Sequence, residues 1–177
     1  RLVTFVRERA QRQAERMRLQ PAEVEALGEV LDPRALTIGF ARRFATYKRG
    51  DLLFADADRL ERLLDQGVQV VYAGKAHPAD QLGQAIISNI LHFVRQPRFR
   101  DRIVFLADYD MAIGRLLTGC CDVWLNNPRR PLEASGTSGM KTTAHGCLNM
   151  SIMDGWWCEG YDVDNGWSIG AGEDYDD

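Results

Sequence analysis

The stretch Glu133-Ala-Ser-Gly-Thr-Ser-Gly-Met-Lys141 gathers residue types suited to holding phosphate groups. Gly136 and Gly139 let the backbone turn tightly and approach a ligand, exposing amide hydrogens. Thr137 and Ser138 add hydroxyl donors, and a helix is predicted to begin near Ser138. Amides and hydroxyls at a helix start make a ready phosphate site. Glu133 supplies an acceptor for sugar hydroxyls. Lys141, about a turn into that helix, faces the same point, either as a plain counter-ion or as the amine of a Schiff base.

A second cluster lies in Gly39-Phe-Ala-Arg-Arg-Phe-Ala-Thr-Tyr-Lys-Arg-Gly50, where Arg42, Arg43, Lys48 and Arg49 place four cations within eight residues. A helix starting after Arg43 would bring Tyr47 and Lys48 to the same point. Arginine offers a planar fork and lysine a compact charge, a good pair for a phosphate dianion. The alternative is a solvated basic helix end. A third segment, Ala73-Gly-Lys-Ala-His-Pro78, sets Lys75 and His77 after a tight turn. It lacks the GxxxxGK[ST] pattern and reads equally as a structural turn or a binding loop.

Elements must carry these residues to one place. Short apolar runs rich in Val, Ile and aromatics at Leu36–Phe40, Val68–Ala73, Ile103–Leu106 and Val123–Leu125 predict strands. Helical stretches are expected between them at Leu52–Leu64, Gln81–Val94 and Met111–Leu117, and two later runs, Leu148–Met153 and Trp167–Ile169, could add strands. Strands alternating with helices imply βαβ units, right-handed crossovers and a parallel sheet covered on both faces. The expected fold class is α/β, a Rossmann-like parallel sheet with flanking helices, and ligands gather at the carboxyl ends of such strands. Ahead of it, residues 2–19 read as an amphipathic helix and Pro21 opens a second running to about Leu31, ended by Asp32-Pro33.

Composition narrows the classes. The chain has 177 residues, 45% hydrophobic and 27% charged, with net charge −3. That fits one globular domain and gives no bulk attraction to nucleic acid or an anionic membrane. Six arginines in the first 18 residues are interleaved with Glu8 and Glu15, and read as a solvated helix face rather than a nucleic-acid arm. The chain ends on the acidic run Glu173-Asp-Tyr-Asp-Asp177. Cysteines 120, 121, 147 and 158 form no CxxC, so reduced thiols and a cytoplasmic location are expected, with Cys147 and Cys158 in the core. His77, His92 and His145 are scattered, which gives a zinc site no support. No apolar run approaches 18 residues, so no membrane span is expected. Trp156, Trp157 and Trp167 read as packing before a sugar-stacking platform.

The motifs together resemble the α-glucan (glycogen, maltodextrin) phosphorylases. EASGTSGMK is close to that family's cofactor-lysine motif, commonly EASGTGNMK, and the likeness runs through RRFATYKR, AGKAHP, NNPRRPLEASGTSGMK and MDGWWCEGYDVDNGW, about residues 35–170. The wording is most similar to the shorter bacterial and archaeal branch. The chain departs from the common form at Ser138 and Gly139, where Gly and Asn are usual, and the lysine register is unchanged.

The resemblance implies a two-domain GT-B fold, of which 32–177 would be the C-terminal Rossmann-like domain, incomplete at its end, and 1–31 a helical connecting segment. It implies phosphorolysis of terminal glucosyl units of an α-1,4-glucan by inorganic phosphate, giving glucose 1-phosphate with retention. Lys141 would hold pyridoxal 5′-phosphate as a Schiff base, and the cofactor would act through its phosphate. By motif position, Arg43 and Lys48 match the substrate-phosphate clamp, with Arg42 and Tyr47 close by. Thr137 and Ser138 would bind the cofactor phosphate, Glu133, Ser135 and Gly136 the hydroxyls of the transferred glucose, and Tyr109 would lie near the cofactor ring. Two rivals are a sugar-nucleotide transferase of the glycogen or starch synthase type, which does not need the lysine, and a non-catalytic glucan-binding module, which predicts no clustered phosphate ligands.

Overall fold

Val70-Val-Tyr-Ala73 accounts for the sheet in miniature. Successive strand residues point to opposite faces, and Val70 and Tyr72 enter one apolar core while Val71 and Ala73 enter another. Ile103 and Phe105 alternate with Val104 and Leu106 in the same way. A sheet apolar on both faces has to be covered on both.

The computed structural model describes residues 1–174; the end of the acidic run, 175–177, lies outside the described residues. Six strands, β1 (Leu36–Phe44), β2 (Val68–Ala76), β3 (Ile103–Leu106), β4 (Val123–Asn126), β5 (Leu148–Ile152) and β6 (Gly166–Ile169), form one parallel sheet in the order β3-β2-β1-β4-β5-β6. The helices are α1 (Leu2–Arg16), α2 (Pro21–Ala26), α3 (Ala57–Asp65), α4 (Gln81–Val94), α5 (Met111–Cys120), α6 (Thr137–Thr143) and α7 (Trp157–Gly160). α1 and α5 cover one face through Val3, Val6, Ile113 and Leu117; α3 and α4 cover the other through Leu60, Leu64 and Ile90. This is the expected α/β class. The chain order reverses between β1 and β4, so a crevice opens at their carboxyl ends.

Element ends differ from expectation in ways that matter to the site. β1 runs four residues past Phe40, paired with β2 in register from Leu36↔Val68 to Phe44↔Ala76. Arg42 and Arg43 are therefore strand residues, because ladder hydrogen bonds outlast the apolar run that announces the strand. No helix follows Arg43; Tyr47 and Lys48 sit on a single 3₁₀ turn, Thr46–Lys48. α1 stops at Arg16 and α2 at Ala26, with Arg18 at φ 56° and Leu31 at φ 64° turning the chain.

Among the described residues no helix is long and apolar enough to cross a membrane, and no group of three or more His, Cys, Asp or Glu could hold a metal ion. All four cysteines are free; Cys121 and Cys147 are buried, whereas Cys158 is exposed rather than in the core. Burial pushes the Cys147 thiol up to about 12.

Candidate active site

At the β1/β4 crevice lies a cavity of about 470 Å³ lined by Arg42, Arg43, Tyr47, Lys48, Tyr109, Glu133, Ser135, Gly136, Thr137, Ser138 and Lys141, among others. Residues from β1, the 3₁₀ turn, the loop after β3 and the loop into α6 thus share one wall system, whereas Arg49 and Gly139 of the same two motifs are not among its lining residues. Lys75 and His77 do not line it. His77 Nδ1 instead accepts the Ala79 N–H at 3.1 Å, which makes that segment a turn. A second hollow of about 550 Å³ on α4, lined by Ser88, Leu91, His92, Arg95, Gln96 and Pro97, contains none of the motif residues.

The cavity carries four cations against one carboxylate. Glu133 is the hub, buried at 7% exposure. Its Oε2 accepts a hydrogen bond from Lys48 Nζ and another, at 3.4 Å, from Arg42 Nη1. Lys48 also lies over the Tyr47 ring, 4.7 Å from its centroid. Burial lowers Arg42 to about 10, with the neighbouring Glu133 pulling the other way, so it remains a cation at neutral pH. Its Nη2 reaches Ser138 Oγ at 3.5 Å, and its Nε is buried with no partner. Such an orphaned donor is costly unless a ligand accepts from it.

Arg43 and Lys141 are different. Both are exposed at the cavity, and among the described residues neither side chain makes a hydrogen bond or an ion pair. Two cations are thus tied to Glu133 and two stand free for an anion. The loop enters α6 through Gly136 at φ 75°, a left-handed conformation that costs a side-chain-bearing residue strain. From there the Thr137 and Ser138 amides open the helix with no intrahelical acceptor. α6 has only seven residues, so what it offers is free N–H groups rather than a strong macrodipole. Arg42 with its unused donor, the free amides and the Ser138 hydroxyl form a cradle whose chemistry fits a phosphate monoester.

Loops hold the two clusters together. The Arg129 N–H donates to the Tyr47 carbonyl at 2.6 Å. Arg49 Nε donates to the Asn127 carbonyl at 2.9 Å, and Asn127 Nδ2 returns a bond to the Arg49 carbonyl at 3.1 Å. Arg49, counted among the phosphate cations by spacing, is thereby a strut between loops. Tyr109 is half-buried at the cavity wall, and burial, followed by the neighbouring Asp110, raises the pKa of its hydroxyl. Its hydroxyl occupies the space where a side chain on Gly114 would begin, 2.5 Å away. His145 is exposed, in the turn beyond α6. Trp157 is fully buried and Trp167 is 47% exposed.

The model of the carbohydrate phosphorylase family matches residues 5–162. The chain belongs to that family. It is 54% identical over 151 residues to the glycogen phosphorylase of Mycobacterium tuberculosis, covering 84% of this chain and 18% of that protein. It is 46% identical over 173 residues to the glycogen phosphorylase of Aquifex aeolicus, covering 96% of this chain and 25% of that protein. The maltodextrin phosphorylase of Thermococcus litoralis is 49% identical over 149 residues, with 82% and 18% covered. This phosphorylase-family chain therefore spans a quarter or less of the length of these relatives.

Two residues that matter to the cavity were not legible as such. Asp154 and Trp156, in the turn after β5, contact the Glu133–Ser135 backbone. The sequence signals available were an Asp-Gly pair after an apolar run, which marks a turn, and Trp156, read as packing within the MDGWWCEGYDVDNGW motif; neither says what the turn grips.

Proposed function

We propose that the polypeptide containing this chain is a pyridoxal-phosphate-dependent α-1,4-glucan phosphorylase, and that the cavity between β1 and β4 is one wall of its active site. The observation that carries this reading is the cavity's charge layout, with Arg43 and Lys141 free and Arg42 keeping an unused buried donor. Two phosphate groups held close together repel, so a fixed excess of cations is what such chemistry needs. The sugar-nucleotide alternative leaves Lys141 without a task.

In this reading Arg43 and Lys48 grip inorganic phosphate or the phosphate of glucose 1-phosphate. Arg42 Nε, with the Thr137 and Ser138 amides and hydroxyls, holds the cofactor phosphate, and Lys141 holds the cofactor ring, with Tyr109 beside it. The bound cofactor supplies a phosphate able to exchange a proton with inorganic phosphate. The proton passes to the glycosidic oxygen, the C1–O bond to the glucan breaks, and a phosphate oxygen bonds to C1 on the same face. Glu133 draws Lys48 and Arg42 together, and with Ser135 and the Gly136 backbone binds hydroxyls of the transferred glucose; Tyr47 backs Lys48. Residues 1–31 are proposed as the connector to the other half of the cleft and 32–177 as the domain. A cytoplasmic location and a possible oligomer complete the reading.

The test is direct. The full-length enzyme, given maltoheptaose and inorganic phosphate, is expected to release α-glucose 1-phosphate. Arg43→Ala should lower kcat/KM on the order of 10²–10³-fold, the usual loss when one fixed charge-stabilising group goes. No phosphorolysis by the full-length protein, or β-glucose 1-phosphate as product, would refute the reading.

A further inference from the structure

The turn after β5 reaches back beneath the sugar side of the cavity. Asp154 is 6% exposed. Its Oδ2 accepts the Glu133 N–H at 2.8 Å and its Oδ1 accepts the Gly155 N–H at 2.9 Å. Gly155 follows at φ 56°, and a side chain there would begin 2.7 Å from the Ser135 carbonyl oxygen and 2.9 Å from that of Glu133. Trp156 N–H then donates to the Ser135 carbonyl at 2.8 Å. The Trp156 indole fills the space beside α6, its Nε1 2.8 Å from where a side chain on Gly139 would begin. Asp154 and Trp156 thus hold Glu133-Ala-Ser135 at both ends, by the N–H of the first and the carbonyl of the last, with Gly155 close against both carbonyls.

Charge makes this more than a turn. Among the described residues Asp154 has no cationic partner, so its buried charge is balanced by two backbone N–H groups alone. Hydrogen bonds to an ionised acceptor are about twice as strong as neutral ones. A carboxylate is also the smallest group with an acceptor on each side; asparagine would turn its amide nitrogen toward one of the two N–H groups. Arg42 on β1 and Lys48 on the 3₁₀ turn after it both pull on the Glu133 side chain. The backbone of the same residue is held from the β5 side, so Glu133 is fixed from two directions.

We propose that Asp154 is a positioning residue for sugar recognition, which, with Gly155 and Trp156, holds the Glu133 carboxylate and Ser135 hydroxyl at the angle the transferred glucosyl unit needs, without touching substrate. This rests on the reading that Glu133, Ser135 and Gly136 receive the sugar. It predicts a selective defect: sugar binding weakens while phosphate and cofactor binding do not.

The full-length enzyme with Asp154→Ala, and with the milder Asp154→Asn, tests it in two arms. In hydrogen–deuterium exchange, the Glu133 amide should exchange at least tenfold faster in Asp154→Ala, with Asp154→Asn between it and wild type and β1 and β2 unchanged. In binding, the dissociation constant for glucose should rise about tenfold while those for inorganic phosphate and pyridoxal phosphate stay within twofold. In a Glu133→Gln background, Asp154→Ala should raise the glucose constant by a smaller factor than in the wild type, because part of its effect runs through Glu133. Unchanged exchange at Glu133, equal weakening of glucose and phosphate, or effects that multiply across the cycle would each overturn the proposal. Should Asp154→Ala not fold, Asp154→Asn carries the same comparisons. If the wild-type enzyme makes no glucose 1-phosphate, the phosphorylase reading fails on its own, and the exchange arm still decides whether Asp154 holds the loop.

Discussion

Glu133 shares its buried carboxylate between Lys48 and Arg42, and that sharing decides what each substitution at this centre costs. Removing one partner of a buried ion pair leaves an uncompensated charge, at a cost of about 3–5 kcal/mol. Glu133→Gln strands two cations and should approach that figure in a urea unfolding titration of the chain. Lys48→Met leaves Arg42 still paired with Glu133, so it should cost less than half as much. Equal losses would mean that Arg42 does not share the carboxylate. The residue types of this centre were legible in the sequence, including the cations near 42–49 and the Glu133–Lys141 stretch. Their pairing was not, because nothing in the spacing says that Lys48 and Arg42 turn toward Glu133 while Arg43 stays free.

The helical and strand elements explain how those residues are presented. The apolar centres of the strands were readable from periodicity; the extension of β1 through Arg42 and Arg43 was not, since it depends on pairing with β2. The arginine-rich start of α1 reads as a solvated face, yet the structure gives it partners. Arg7 Nε donates to the Val30 carbonyl at 2.8 Å and Arg9 meets Asp110 at 2.6 Å. Gln13 does what a neighbouring strand would do at the β3 edge: its Nε2 donates to the Phe105 carbonyl at 3.4 Å and its Oε1 accepts the Ala107 N–H at 2.8 Å. Gln13→Leu loses both bonds beside the loop that carries Tyr109, and should destabilise the chain by about 1–3 kcal/mol, measured by thermal or urea unfolding. Asp110 caps α5 by accepting the Ile113 N–H at 2.8 Å, which with Arg9 holds its carboxyl below the ordinary range. Its folded value is the depressed one, so its stabilisation is present above the unfolded value of about 3.9 and is lost as pH falls through the folded value. Asp110→Ala should therefore flatten the acid limb of the pH–stability curve, and an unchanged limb would count against the cap.

At the scale of the molecule, the cavity lies at the β1/β4 switch point of a chain spanning 18% to 25% of its relatives' lengths, and in the proposed function it is one wall of the active site. Phosphorolysis by the purified 177-residue chain is therefore expected to be undetectable, by glucose 1-phosphate release from maltoheptaose. Family membership was legible because several long motifs fall in one order along the chain. The Asp154 clamp was not, because it depends on β5 lying beside β4 in the folded sheet. In the proposed function Lys141 carries pyridoxal phosphate. Incubating the full-length enzyme with pyridoxal phosphate, reducing with borohydride and mapping the modified peptide tests it most directly. A single stoichiometric label on Lys141 is expected; a label on another lysine, or none, would overturn the cofactor assignment.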